Sequence, residues 1–319
     1  MKRKVFVSYP IAPAGLDLLQ QHNIEITMHA DHVPLTQPEF IRQFQNHDAV
    51  IMTLGEQVHS DVIELALRGN PPTKIFSNYG VGYNNIDVAY AKSNHIFITN
   101  TPDVLTDATA DAALLLMLAV ARRFRTAEHL IRAGKFQGWS TLKQLGVDLN
   151  GKTLGIVGFG RIGQAVAFRA KAFGMEIIYT KRTPLELRIG KQVSFETLLR
   201  TSDVVSVHTP LTGETVHLFS RREFEMMKPN AILINTSRGA VIDEKALVVA
   251  LREGKFFGVG LDVYEQEPHV SPELFTFENV VLLPHIGAAT TETRNRMSLI
   301  CAENILDCFN SRTPRNLVY

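Results

Sequence analysis

Short apolar runs separated by polar turns recur along the whole chain of 319 residues. In the first third, segments 4–9, 24–28, 48–53, 74–78 and 96–98 have the length and branched-residue content of strands. Between them, 14–21, 40–46, 62–68 and 88–93 repeat apolar positions at helical spacing. Asn100-Thr101-Pro102-Asp103 breaks the alternation. An apolar helix follows, with Thr106, Asp107 and Thr109 near its start and Arg122-Arg123 near its end. A polar helix over 126–133 and a loop over 134–139, holding the only tryptophan, Trp139, come next. The pattern then restarts. Segments 153–157, 175–179, 204–207, 231–235, 258–263 and 280–283 predict strands. Helices are predicted after Gly163, up to 201, over 224–227, over 244–253 before Gly254, and over 291–310. Strands alternating with helices imply parallel sheets with helices on both faces, so the expected class is α/β with two doubly wound units. No sequence repeat, low-complexity segment or long linker separates them.

One stretch fixes the chemistry of the second unit. Gly158, Gly160 and Gly163 form G-x-G-x-x-G between a predicted strand and a predicted helix, with another strand behind. Strand, glycine turn, helix and strand within about 30 residues is the context of a dinucleotide site. Gly158 permits the tight turn, Gly160 lets a pyrophosphate approach the backbone, and Gly163 lets the helix pack closely. Phe159, Arg161 and Ile162 complete the cofactor turn. The helix start offers free N–H groups and a positive dipole end to phosphates.

An NAD site usually carries Asp or Glu about 20 residues after the glycines, to bind the ribose 2′-OH. Here the second strand ends in Lys181-Arg182-Thr183, with no acid over 177–183. Two cations and a hydroxyl attract a 2′-phosphate, so NADP is favoured and NAD is the alternative.

Composition narrows the partners. Hydrophobic content of 45%, charged content of 20% and a net charge of +1 suit a soluble globular protein, with no excess charge for nucleic acid or a membrane surface. The run after Met1-Lys2-Arg3-Lys4 is too short for a signal sequence, and the longest apolar run, 112–121, is too short to span a bilayer. Cys301 and Cys308 lie two helical turns apart, roughly 10 Å, and predict reduced thiols in a cytoplasmic protein. No spacing suits a metal, and no nucleophile elbow is present.

Ligands of doubly wound sheets bind outside the carboxyl ends of the strands. Four predicted strands lead to His208-Thr209-Pro210, to Thr236-Ser237-Arg238-Gly239, to Tyr264-Glu265-Gln266-Glu267, and to Pro284-His285-Ile286-Gly287. Singly, Arg238 could pair with a surface carboxylate, Glu267 could be solvated and His285 could be a satisfied buried histidine. Together they place a cation, a carboxylate and an imidazole at one sheet edge beside the nicotinamide. That set suits hydride transfer at a 2-oxo or 2-hydroxy acid. The cofactor supplies the hydride, Arg238 binds the substrate, and His285 donates the proton with Glu267 favouring its imidazolium. His208, Thr209 and Pro210 are expected to line the cofactor cleft, as are Thr236, Ser237 and Gly287.

At these residues the chain resembles the D-isomer-specific 2-hydroxyacid dehydrogenase family over nearly its whole length. The carriers are Val157 to Gly163, Asn235 to Gly239, Leu261 to Pro268 and Pro284 to Gly287. The resemblance implies that Arg238 binds substrate, His285 is the acid/base and Glu267 its partner. It implies substrate contacts from the Val81 and Gly82 amides with Leu54 and Gly55 nearby, and cofactor contacts from Thr106 and Asp262. It implies a Rossmann-like cofactor domain over 100–289 inserted into a substrate domain of 1–99 and 290–319. It implies a homodimer formed through the cofactor domain. Within the family the chain is most similar to glyoxylate/hydroxypyruvate reductases, in which the residue matching Trp139 reaches the partner's substrate site. Glu267 argues against a formate dehydrogenase and Val81 against a phosphite dehydrogenase. A short D-3-phosphoglycerate dehydrogenase and a cofactor-sensing corepressor are the alternatives.

Overall fold

The computed structural model describes residues 2–183 and 189–319. Met1 of the amino-terminal run lies outside them. The chain divides into two compact units, Met1–Leu105 with Ala288–Tyr319, and Thr106–Gly287.

The first unit alternates β1 (Lys4–Val7), α1 (Pro13–Gln21), β2 (Glu25–Met28), α2 (Gln37–Phe44), β3 (Ala49–Met52), α3 (Ser60–Arg68), β4 (Ile75–Asn78), α4 (Val88–Ser93) and β5 (Phe97–Thr99). Its sheet has the order β2-β1-β3-β4-β5, with every pairing parallel. Strands β3 and β4 are buried along their whole length, which is why β3 is continuously apolar rather than alternating, while β4 ends in buried Ser77 and Asn78. Phe6, Phe40, Phe44 and Phe76 centre the core. Thr36 and Glu39 form a capping box at the start of α2, so that helix begins earlier than its apolar pattern shows.

The second unit contains α5 (Thr106–Ala121), α6 (Phe124–Arg132), β6 (Thr153–Val157), α7 (Arg161–Ala172), β7 (Glu176–Thr180), β8 (Lys191–Gln192), α8 (Phe195–Thr201), β9 (Val204–Val207), α9 (Arg221–Met226), β10 (Ala231–Asn235), α10 (Glu244–Arg252), β11 (Phe256–Leu261) and β12 (Val280–Leu282). Its seven strands are ordered β12-β11-β10-β9-β6-β7-β8, all parallel. The order reverses between β9 and β6, which is the switch point where such sheets bind ligands. The chain then returns to the first unit with α11 (Thr291–Phe309), where Cys301 and Cys308 are buried free thiols.

Two expectations change. Helix α7 starts at Arg161, so Gly163 lies in its first turn rather than before it. The two-residue β8 is too short and too polar to leave a hydrophobic pattern. No helix of the described residues is long and apolar enough to cross a membrane.

Candidate active site

The glycine turn joins β6 to α7. Gly158 has φ +92, and a Cβ there would lie 2.6 Å from the His208 carbonyl oxygen. Conformation and space both demand glycine. Gly163 presses α7 onto the turn, because a Cβ there would lie 2.3 Å from the Gly158 carbonyl oxygen. Gly160 is the N-cap of α7 and supplies no side chain, so the first-turn amides keep their donors for a ligand. Nothing lies within 4 Å of where its Cβ would be. Open space, free donors and a helix dipole fit a dinucleotide pyrophosphate. The Phe159 ring is fully buried and stacks on Tyr179 at 3.8 Å, leaving only its backbone for the cofactor. Arg161 is exposed and Ile162 half-buried.

Beyond β7, Lys181 is half-buried, while Arg182 and Thr183 are exposed. The fold brings an acid here that the local sequence does not show. Glu214, from the loop after β9, accepts from Arg182 Nη1 at 3.4 Å, and both side chains are largely exposed. At the end of β9, His208 Nε2 and Ser206 Oγ are 2.8 Å apart. Burial pushes the His208 imidazole down to about 4, so it is neutral at physiological pH. Its Nδ1 is buried and has no partner among the described residues. Thr209 is half-buried and Pro210 exposed.

After the next three strands along the edge lie the expected catalytic groups. After β10, buried Asn235 folds the turn. Its Oδ1 accepts from the Ser237 amide and hydroxyl, and its Nδ2 donates to the Arg238 carbonyl at 2.9 Å. The Ser237 hydroxyl is therefore used inside the turn. Thr236 Oγ1 is buried without a partner among the described residues. Arg238 Nη1 donates to the Ser237 carbonyl. Burial disfavours the Arg238 cation, and the Glu267 charge opposes that. Gly239 lets this turn touch the next one, since a Cβ there would lie 1.8 Å from the Tyr264 carbonyl carbon.

After β11, the Glu267 Oε1 accepts from the Tyr264 amide at 3.0 Å. Its Oε2 lies 2.7 Å from His285 Nδ1. Burial acts to raise the Glu267 carboxyl. The bond to His285, its charge, the Tyr264 amide and Arg238 outweigh burial and hold it below the usual carboxylate range. With Glu267 ionised, Nδ1 must carry the hydrogen, which leaves Nε2 as the ring nitrogen that could exchange a proton with a ligand. Both side chains are about one-third exposed, at 34% each. Proton transfer with a bound small molecule therefore needs no opening of the core. Asp262 is buried, and its two oxygens accept from the Ile286 and Gly287 amides.

A model of the NAD-binding domain of D-isomer-specific 2-hydroxyacid dehydrogenases matches residues 114–287, more than half of the chain. The chain belongs to the D-isomer-specific 2-hydroxyacid dehydrogenase family. It is 48% identical to the glyoxylate reductase of Thermococcus litoralis, an alignment that covers 100% of this chain and 97% of that one. Among solved structures it resembles a glyoxylate reductase from Paecilomyes thermophila, with a TM-score of 0.87, 36% identity and coverage of 99% and 98%. It also resembles the NADPH-dependent glyoxylate/hydroxypyruvate reductase of Sinorhizobium meliloti, solved with NADP and malonate. There the TM-score is 0.86, identity 33% and coverage 100% and 97%. The chain is an NAD(P)-dependent dehydrogenase with two parallel-sheet α/β domains.

The dehydrogenase carries its remaining expected contacts elsewhere. Thr106 is the first residue of α5 and half-buried. In the first unit, Leu54 and Gly55 follow β3, and buried Glu56 accepts from the Thr53 amide and hydroxyl just before them. Val81 and Gly82 follow β4. Asn78 Nδ2 donates to the Gly80 and Gly82 carbonyls, and Asn100 Nδ2 to that of Val81. Among the described residues the Val81 and Gly82 amides have no backbone acceptor, so they can hold an anion. Trp139 is 86% exposed and covers no core of its own chain. Sequence reasoning gave no role to Asn235, Gly239 or Glu214. Asn directly after an apolar run is an Asx-turn signal that marks the first; the other two need the tertiary fold.

Proposed function

We propose that this dehydrogenase prefers NADP and reduces a small 2-oxo acid of the glyoxylate or hydroxypyruvate type to the D-2-hydroxy acid. The observation that carries the reading is the His285–Glu267 pair at 2.7 Å on the sheet edge that bears Arg238. When bound, the nicotinamide supplies the hydride for the carbonyl carbon. The Gly158–Gly163 turn and the α7 amides hold its pyrophosphate. Thr106, His208, Thr209, Pro210, Thr236, Ser237, Asp262 and Gly287 are assigned to the rest of the cofactor. Lys181, Arg182 and Thr183 take the 2′-phosphate. Arg238 binds the substrate carbonyl or carboxylate, while the Val81 and Gly82 amides take the carboxylate with Leu54 and Gly55 beside it. His285 gives its Nε2 proton to the forming alkoxide, and Glu267 stabilises the imidazolium beforehand.

The same reading extends to a homodimer through residues 106–287. Phe124, Ile131, Phe136, Trp139, Leu142 and Leu145, all in α6 or the segment after it, are exposed apolar side chains that a second copy would cover, with Trp139 serving the partner's site.

The test is steady-state turnover of glyoxylate and hydroxypyruvate with each nicotinamide cofactor, beside sedimentation of the protein. Turnover of either acid, and a loss on the order of 10²–10⁴-fold in kcat for His285→Ala, are expected for general acid catalysis. Tight cofactor binding with negligible turnover of both acids would overturn the assignment in favour of a sensor. A fully active monomer would overturn the role of Trp139.

A further inference from the structure

His285 has φ +54, in the left-handed region that residues with a Cβ seldom adopt. Such a conformation persists only where neighbouring groups over-determine it. The neighbouring group here is Asp262. Its carboxylate is 1% exposed. Oδ1 accepts from the Ile286 amide and Oδ2 from the Gly287 amide, each at 2.7 Å. One carboxylate thus grips two successive peptides directly after the histidine, with distances typical of charge-assisted bonds. Asp262 is itself anchored, because its amide donates to the Asn235 carbonyl at 3.0 Å, continuing the β10–β11 ladder. Burial pushes its carboxyl up, and the two amide bonds oppose that shift.

We infer that Asp262 is a positioning residue for His285, fastening the peptides that follow it so that the imidazole stays on Glu267. This inference rests on the reading of His285 as proton donor. Asp262 and Glu267 leave the same strand, β11. Asp262 directly follows the strand and grips the backbone after the histidine, while Glu267, from the loop beyond, grips its ring, so the imidazole is fixed at two points. Released from Asp262, the Pro284-His285-Ile286 backbone would relax toward the extended region and carry Nδ1 away from Glu267. A carboxylate suits this grip better than an amide, because each N–H faces its own oxygen. In an asparagine, one N–H would face the NH₂ group.

Asp262→Asn, His285→Ala and the double variant, assayed with the full-length protein, test this. Asp262→Asn should lower kcat, measured at saturating cofactor, on the order of 10²-fold, the scale of a misplaced catalytic group. In the His285→Ala background the same substitution should cause little further loss, since both changes remove one function. A near-normal kcat for Asp262→Asn would overturn the inference. So would a weakened cofactor Kd with kcat preserved, or a full additive loss in the double variant. Near-normal turnover by His285→Ala would instead sink the proton-donor reading, and the two failures are thereby distinguished. If Asp262→Asn does not fold, Gly287→Ala serves. Its new Cβ would lie 3.0 Å from Asp262 Oδ2 and press on the same clamp, and the same kcat loss, absent in the His285→Ala background, is expected.

Discussion

Changing Lys181 to Asp and Arg182 to Ala should move cofactor preference from NADPH toward NADH. A charge-assisted hydrogen bond to the 2′-phosphate contributes about 1.5–3 kcal/mol. Two features reduce that figure here. Arg182 is exposed, and its guanidinium is already engaged by Glu214 at 3.4 Å. Breaking such an exposed pair costs about 0–1 kcal/mol. The net gain for NADPH is then about 0.5–3 kcal/mol, or about two- to a hundredfold in kcat/KM. The double change removes this attraction and places a carboxylate where the phosphate would sit, adding repulsion. The assay is kcat/KM for both cofactors at saturating 2-oxo acid, at low and at moderate salt. The NADPH advantage should be greatest at low ionic strength, where screening is weakest. Equal use of NADH and NADPH by the unmodified protein at low salt would refute the reasoning.

Gly239→Ala should destabilise the protein by about 1–3 kcal/mol, the usual cost of overpacking, and should lower kcat/KM as the Arg238 and Glu267 turns separate. Unchanged denaturation midpoint and unchanged kinetics would refute the close-contact argument. The folded-state value of about 4 for His208 lies below the ordinary 6.5. As pH falls from about 6.5 toward 4, the unfolded chain takes up a proton that the folded chain refuses. Stability is therefore lost by up to about tenfold per pH unit in the unfolding constant. His208→Asn should flatten that slope in urea titrations, and identical slopes would count against it.

The parallel sheets were legible because buried strands such as Ala231–Asn235 carry an unbroken apolar run, here ending only at Asn235, and because polar residues cluster directly after them. The grouping of Arg238, Glu267 and His285 was legible for the same reason, since strand ends in a parallel sheet share one edge. Boundaries were harder. Helix α7 begins inside the glycine motif, because Gly160 caps it by leaving the amides free, and this leaves no apolar signature. The pairing of Glu214 with Arg182 joins residues 32 apart and depends on how a loop folds back. No periodicity reports that. Asp262 was visible as a residue but not as a clamp, because its partners are backbone amides, which carry no sequence signal.

The strand order also separates two functions that the linear sequence mixes. Lys181 follows β7 and His285 follows β12, and the order β7-β6-β9-β10-β11-β12 puts five inter-strand steps between them. At about 4.8 Å per step, the two ends of the edge are about 24 Å apart. The screening length is about 10 Å at 0.1 M salt, so charge at Lys181 is largely invisible at His285. The Lys181→Asp, Arg182→Ala protein should therefore keep the pH dependence of kcat of the unmodified enzyme, measured with either cofactor at saturation. Glu267→Gln acts on the other end of the same edge and should change that dependence while leaving the NADPH-to-NADH ratio in place. A shifted kcat profile in the first variant, or an altered cofactor ratio in the second, would show that the two ends of the edge are coupled.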